Sequence, residues 1–248
     1  MKELPTHAMI LAAGLGLRMR PLTERMPKPL IPVAGRSMLD RVLDHLDEVG
    51  VDNRVVNAHW LGEQIHRHLA GRPGIAFSDE VELLETGGGV AKALPLLGEQ
   101  AFYVCNADIL WTNGASPALA RLAAAWDADR MDGLLLLQPT ATAFGYEGRG
   151  DFFRAADGRL RRRAPEETSP TLFAGVQILH PRLFAGAPAG KFSLNLLYDR
   201  AAAAGRLYGI LHDGAWYHIG TPQALAEAEE IIRSGVVPLT CPGAVGDR

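Results

Sequence analysis

At 248 residues with 48% hydrophobic side chains, the chain can bury a large core, and an α/β domain of this length need not be split. A formal net charge of −3 gives no general attraction to nucleic acid, so any basic site is local. Two cysteines, Cys105 and Cys241, stand far apart at no metal-ligand spacing, which suits a reducing compartment with one buried thiol and one inert tail thiol. No apolar run approaches membrane-spanning length and no signal peptide precedes the first strand, so the expectation is a cytoplasmic protein without membrane or nucleic-acid partners.

Met9 to Ala13 reads as a short buried strand that opens into a loop at Gly14. Ser37 is placed to cap a helix whose Met38, Val42, Leu43 and Leu46 share a face, with Gly50 as its stop. Arg54 to Asn57 is the second strand, Leu61 to Leu69 a helix, and Ile75 to Ser78 the third strand. After Gly87 to Gly89 a short helix through Leu94 leads to the strand Phe102 to Asn106. Ser116 and Pro117 start another helix, and Gly133 to Gln138 is a further apolar strand. From about 140 to 175 the chain turns to short extended pieces rich in Gly and Arg. Thr171 to Leu179 and Leu207 to Leu211 are strands around a helix at Leu194 to Ala204, and Thr221 with Pro222 starts a last helix that runs to Ser234. The alternation predicts an α/β fold: a Rossmann-like, mostly parallel sheet with helices on both faces and a small inserted β-rich lobe. Ligands then belong at the carboxyl ends of the strands. The expected organisation is one domain over 1–236, with a tail at 237–248.

Three stretches carry chemistry. Gly14 and Gly16 let the backbone after the first strand turn so that its N–H groups face a phosphate, while Arg18 offers a planar fork and Lys28, between Pro27 and Pro29, a point charge. This is not a dinucleotide fingerprint, because the third glycine would fall at Met19 and no acidic residue ends the strand Arg54 to Asn57. Asp108 follows an apolar strand, where a carboxylate lies at the active-site edge and suits magnesium. Gly87-Gly88-Gly89 permits close approach of a flat group to the backbone.

LAAGLGLRMRPLT followed by PKPLIPVAG resembles the opening of the sugar-nucleotidyltransferase family, the sugar-1-phosphate pyrophosphorylases. More narrowly, ETGGGVAKALPLLG, VVNAHWLGEQI, GRGDF and TLFAGVQILHP resemble the uridylyltransferases that act on N-acetylmuramic acid 1-phosphate in cell-wall recycling. The resemblance covers nearly the whole chain and implies transfer of a nucleotide from a nucleoside triphosphate, with UTP expected, to a sugar 1-phosphate, with release of pyrophosphate. Mannose-1-phosphate guanylyltransferase and glucose-1-phosphate thymidylyltransferase activities are the enzymatic alternatives, and a nucleotide-binding regulatory module is the non-enzymatic one. Arg18, Lys28 and Asp108 are the expected catalytic residues. Leu11, Ala12, Gly14, Gly16, Glu80, Thr86 and Gly88 are the expected nucleotide contacts, and Glu80 can accept the N3–H of uracil or a proton of guanine. Asn57, Gly150, Asp151 and Gly175 match positions on the sugar side.

Two departures from the family stand out. Its sugar-phosphate lysine is missing, and Arg161-Arg162-Arg163 lies at that place, so one of these arginines is the expected substitute. A second metal-ligating aspartate is replaced by His218. With Asp108, His218 makes a candidate metal pair for Mg²⁺, and Mn²⁺ or Co²⁺ should serve at least as well because they accept nitrogen more readily. The β-helix that some family members append is absent from this sequence, and a monomer or small homo-oligomer is expected.

Overall fold

A computed structural model describes residues 5–235 of the chain; the expected tail at 237–248, with Cys241, lies outside the described residues. Strand β1 (His7–Leu11) lies inside the sheet, between two parallel neighbours. It pairs in parallel with β2 (Asn53–Ala58), and β2 pairs in parallel with β3 (Ile75–Asp79). Helix α1 (Met38–Glu48) precedes β2, α2 (Gly62–His68) joins β2 to β3, and α3 (Glu85–Leu97) follows β3. On its other side β1 pairs in parallel with β4 (Phe102–Asn106). Next in the chain come α4 (Ala118–Ala125) and β5 (Gly133–Pro139). The short pair β6 (Phe152–Arg154) and β7 (Leu160–Arg162) forms an antiparallel hairpin, followed by β8 (Thr171–Leu179). Helix α5 (Asn195–Ala203), strand β9 (Leu207–Leu211) and helix α6 (Pro222–Arg233) complete the described fold.

Alternation along the strands explains why both faces need cover. Ala8 and Ile10 point into one cluster with Leu39, Val42, Leu43 and Leu46 of α1, Ile65 of α2, and Leu119 and Leu122 of α4. Met9, between them, points the other way, into a cluster with Val90, Ala93 and Leu97 of α3 and Leu197 and Ala201 of α5. A strand buried on both faces cannot alternate polar with apolar, which is why these strands read as continuous apolar runs. The caps fall where expected: Ser37 Oγ accepts the Asp40 N–H at α1, and Thr221 Oγ1 accepts the Ala224 N–H at α6.

The parallel order breaks at β8, which runs antiparallel to both β4 and β5. Its register shifts between Phe173 and Gln177, and Gly175 there has φ +80°, a backbone state that side chains disfavour. Beyond this bulge, Thr171 pairs with Phe152 of the hairpin instead of with β4, so β8 hands the sheet over to the inserted lobe. One expectation is corrected. Gly87 to Gly89 do not precede a helix but lie inside α3, which starts at Glu85.

Candidate active site

A cleft of about 590 Å³ opens at the carboxyl ends of β1 and β4, as the strand pattern predicts. Leu11, Ala12, Ala13, Gly14, Gly16 and Arg18 line it, as do Lys28, Asn57, Glu80, Thr86, Asn106 and Asp108. Gly16 has φ +61°, and a Cβ there would stand 2.8 Å from Thr23 Cγ2, so both its torsion and its packing call for glycine. Gly14 differs: a Cβ on it would meet no protein atom within 4 Å, and the space it leaves belongs to the cleft. Behind this loop, Met19, Ile31 and Val33 pack with Tyr217, Ile219 and, on α6, Ala228, which anchors the basic segment to the C-terminal part of the fold.

Two of the expected catalytic residues meet directly. Lys28 Nζ donates to Asp108 Oδ2 at 2.8 Å, with the lysine side chain 8% exposed and the carboxylate 44% exposed. Arg18 Nη1 stands 3.5 Å from His218 Nε2. The His218 imidazole lies in an aromatic corner, stacked on Trp216 and edge-on to Tyr146. Burial pushes its pKa below the ordinary histidine value, and the neighbouring Arg18 and Lys28 charges push the same way against Asp108, so the ring is neutral near pH 7 and can accept a bond or ligate a cation.

Asp108 lines the cleft, whereas His218 lines a second, smaller cavity with Phe144, Tyr217 and Ala228. Among the described residues no group of three or more His, Cys, Asp or Glu side chains converges. Asp108 offers one hard oxygen to the cleft, which suits a divalent ion that keeps most of its shell as phosphate oxygens and water.

Several expected contacts have other partners. Asn57 and Glu80 line the cleft, yet both are buried and bonded to each other: Asn57 Nδ2 donates to Glu80 Oε1 at 2.6 Å. Gly88 does not line the cleft. A Cβ on Gly87 would collide with the Phe192 ring, and one on Gly88 with the Gly190 carbonyl. The N–H groups of both glycines donate to Phe192 O. The glycine run therefore admits the 190–192 loop against α3. Thr86 does line the cleft, with Oγ1 accepting the Leu194 N–H.

The GRGDF stretch is likewise turned inward. Gly150 has φ +68°, and its N–H donates to the Tyr146 hydroxyl, while Asp151 Oδ2 accepts the Phe173 N–H at 2.9 Å. Neither residue lines the cleft; they pin the lobe to β8. Gly175 sits at the bulge, where a Cβ would press on Ile109 at 2.7 Å and Asn106 at 3.2 Å. The three arginines are also engaged elsewhere. Arg161 pairs with Glu167, Arg162 with Asp199, and Arg163 Nε donates to Gly150 O. None lines the cleft, so the expectation that one of them replaces the sugar-phosphate lysine is not met.

The sequence reading left out Asn106, Glu85, Leu83 and Ser193, all of which line the cleft. Asn106 had a signal, since it ends an apolar strand two residues before Asp108. Ser193 had none, because its approach depends on the glycine run in α3.

Residues 8–161 match the MobA-like NTP transferase domain. The chain belongs to that family. It is 44% identical over 236 residues to the N-acetylmuramate alpha-1-phosphate uridylyltransferase of Caulobacter vibrioides, a match covering 92% of this chain and 98% of that protein. To the enzyme of the same name from Neisseria meningitidis serogroup B it is 37% identical over 230 residues, covering 90% and 97%. Among solved structures, UDP-glucose pyrophosphorylase complexed with UDP-glucose superposes with a TM-score of 0.74 at 14% identity, over 94% of this chain and all of that one. HddC from Yersinia pseudotuberculosis superposes with a TM-score of 0.72 at 21% identity, over 91% and 98%. These two likenesses speak to the fold alone: a mostly parallel central sheet with helices. Among the described residues no helix is long and apolar enough to cross a membrane.

Proposed function

We propose that this nucleotidyltransferase joins UTP to N-acetylmuramic acid 1-phosphate and releases pyrophosphate. The choice of base and sugar is supported by two relatives of that name, each matched over nearly its whole length. The observation that carries the chemistry is the Lys28–Asp108 contact at 2.8 Å beside the Gly14–Gly16 loop in the large cleft. A buried cation and a more exposed carboxylate there provide charge for an α-phosphate and a hard ligand for a cation at the same spot.

In this reading an oxygen of the sugar phosphate attacks the α-phosphorus in line. A new P–O bond forms as the bond to the β-phosphate bridging oxygen breaks, and the electron pair leaves with pyrophosphate. Lys28 neutralises the α-phosphate, Arg18 grips the leaving pyrophosphate, and the loop N–H groups hold the remaining oxygens. Asp108 and His218 would hold the divalent ion, which supplies charge screening for the phosphates when bound. The sugar would sit past Asp108 toward Asn106 and the Gly175 bulge, where the amide of Asn106 is available for hydrogen bonding.

The test is pyrophosphate release from a matrix of UTP, GTP, dTTP and CTP against N-acetylmuramic acid, N-acetylglucosamine, glucose and mannose 1-phosphates. UTP with N-acetylmuramic acid 1-phosphate should have the highest kcat/KM. A tenfold preference for any other pair would overturn the assignment.

A further inference from the structure

Asn57 and Glu80 are polar, pocket-lining and almost fully buried, at 2% and 5% exposure. Each side-chain polar group that faces the protein has a partner from a different element. Asn57 Oδ1 accepts the Ala12 N–H at 2.6 Å, which ties β2 to the first residue after β1. Asn57 Nδ2 donates to Glu80 Oε1 at 2.6 Å, and Glu80 Oε2 accepts the Leu84 N–H at 2.8 Å, at the N-terminal cap position of α3. The donors and acceptors fix the orientation of the amide, since one end meets an N–H and the other a carboxylate. The carboxylate also sits where a helix N-terminus favours negative charge.

The fourth wall of this arrangement is Gly89. A Cβ there would stand 2.8 Å from Glu80 Oε1 and 2.9 Å from Asn57 Nδ2, so the third glycine of the run is needed to seat the pair. Three backbone elements bordering the cleft, the β1 loop, the end of β3 and the start of α3, are thus spaced by one buried relay.

We propose that Asn57 and Glu80 are positioning residues that set the separation between the two walls of the nucleotide cleft, and that neither reads the base or the sugar. Both Glu80 carboxylate oxygens are already held by protein donors, Oε1 by Asn57 and Oε2 by Leu84, and the residue is 5% exposed. Base choice then falls to groups other than Glu80. The inference rests on the cleft being a nucleotide site.

The relay can be inverted, which makes it testable. In Glu80→Gln one of two fixed donors, Asn57 Nδ2 or Leu84 N–H, must face the new amide nitrogen. In the double variant Asn57→Asp with Glu80→Gln, the carboxylate introduced on β2 accepts from Ala12 and from the amide introduced after β3, whose oxygen accepts from Leu84, so all three bonds return. The experiment measures kcat and KM for UTP and CTP in wild type, Glu80→Gln and the double variant. Glu80→Gln should raise the UTP KM tenfold or more with kcat within threefold, leave the UTP-to-CTP preference unchanged, and be restored to within threefold of wild type by the second substitution. A Glu80→Gln protein that fails to fold while the double variant folds and turns over UTP at near wild-type KM counts equally as rescue. A tenfold shift toward CTP in Glu80→Gln, as a side chain reading N3 of the base would give, or a double variant no better than the single, overturns the inference. Wild-type protein releasing no pyrophosphate with any substrate pair would bring down the proposed function and this inference together. An active wild type without rescue brings down this inference alone.

Discussion

Lys28 Nζ lies 2.8 Å from Asp108 Oδ2, so the cation expected at the α-phosphate and the carboxylate expected at the metal hold each other. The lysine is nearly buried and the aspartate is not, which makes the lysine the partner that needs compensation. In the proposed reaction, nucleotide and metal arriving together would supply both groups with new partners of the right sign. Binding would then exchange one ion pair for two and leave no buried charge unpaired.

This exchange separates two substitutions. Asp108→Asn keeps an oxygen for Lys28 but not the charge and should lower thermal stability less than Asp108→Ala does, while turnover falls at least 10²-fold, about 2.7 kcal/mol in the transition state. Asp108→Ala strands the lysine and should lower thermal stability as well. Melting temperatures of both variants equal to wild type would show that the pair contributes nothing to the fold.

Arg18→Ala and Lys28→Ala should each cut turnover on the order of 10²-fold, because phosphate charge is left unneutralised. Steady-state kinetics with saturating UTP checks this. Near-normal kcat in both would remove the basic loop from the mechanism.

His218 gives the metal prediction. With one carboxylate in place of two, the protein without nucleotide should bind Mn²⁺ weakly, and nucleotide should tighten the binding at least tenfold, read by electron paramagnetic resonance. After chelation, Mn²⁺ or Co²⁺ should restore activity at least as well as Mg²⁺, and His218→Asp should move the preference toward Mg²⁺. A His218→Ala protein with full activity and an unchanged metal profile would confine His218 to its contact with Arg18.

The arginine run yields a negative expectation. Arg161→Ala and Arg162→Ala remove pairs with Glu167 and Asp199 at the lobe surface and should leave the KM for the sugar phosphate within threefold. A tenfold rise in that KM would return one of them to the site.

Acid sensitivity follows from His45, 6% exposed and stacked on Trp111 with ring centroids 4.3 Å apart. Burial lowers its pKa to about 4, against the backbone bond to Trp111, and burial also lowers His212. A histidine whose folded pKa is depressed takes up its proton in the unfolded chain first. Stability is therefore full above the unfolded value near 6.5 and declines as pH falls toward 4. Between about pH 7 and pH 5, His45 alone should remove about 2 kcal/mol. Urea unfolding at the two pH values measures it, and His45→Phe, which keeps the stack, should flatten the dependence.

The alternating α/β order, the caps at Ser37 and Thr221, and the place of Lys28 and Asp108 in the basic loop and past a strand end were legible in the chain before it was folded. They rest on local chemistry: apolar runs bounded by glycine, hydroxyls before helices, and charges just past buried strands. What the side chains met was another matter. Gly87 to Gly89 read as a run that lets a flat ligand group approach the backbone, but in the folded chain Phe192 and Gly190, a hundred residues away, pack against Gly87 and Gly88. Glu80 and Asp151 carry acceptors that suit a ligand, but the backbone donors at Leu84 and Phe173 reached them first. A carboxylate's partner is set by which N–H lies within about 3 Å in the folded chain, and no periodicity in the sequence encodes that distance.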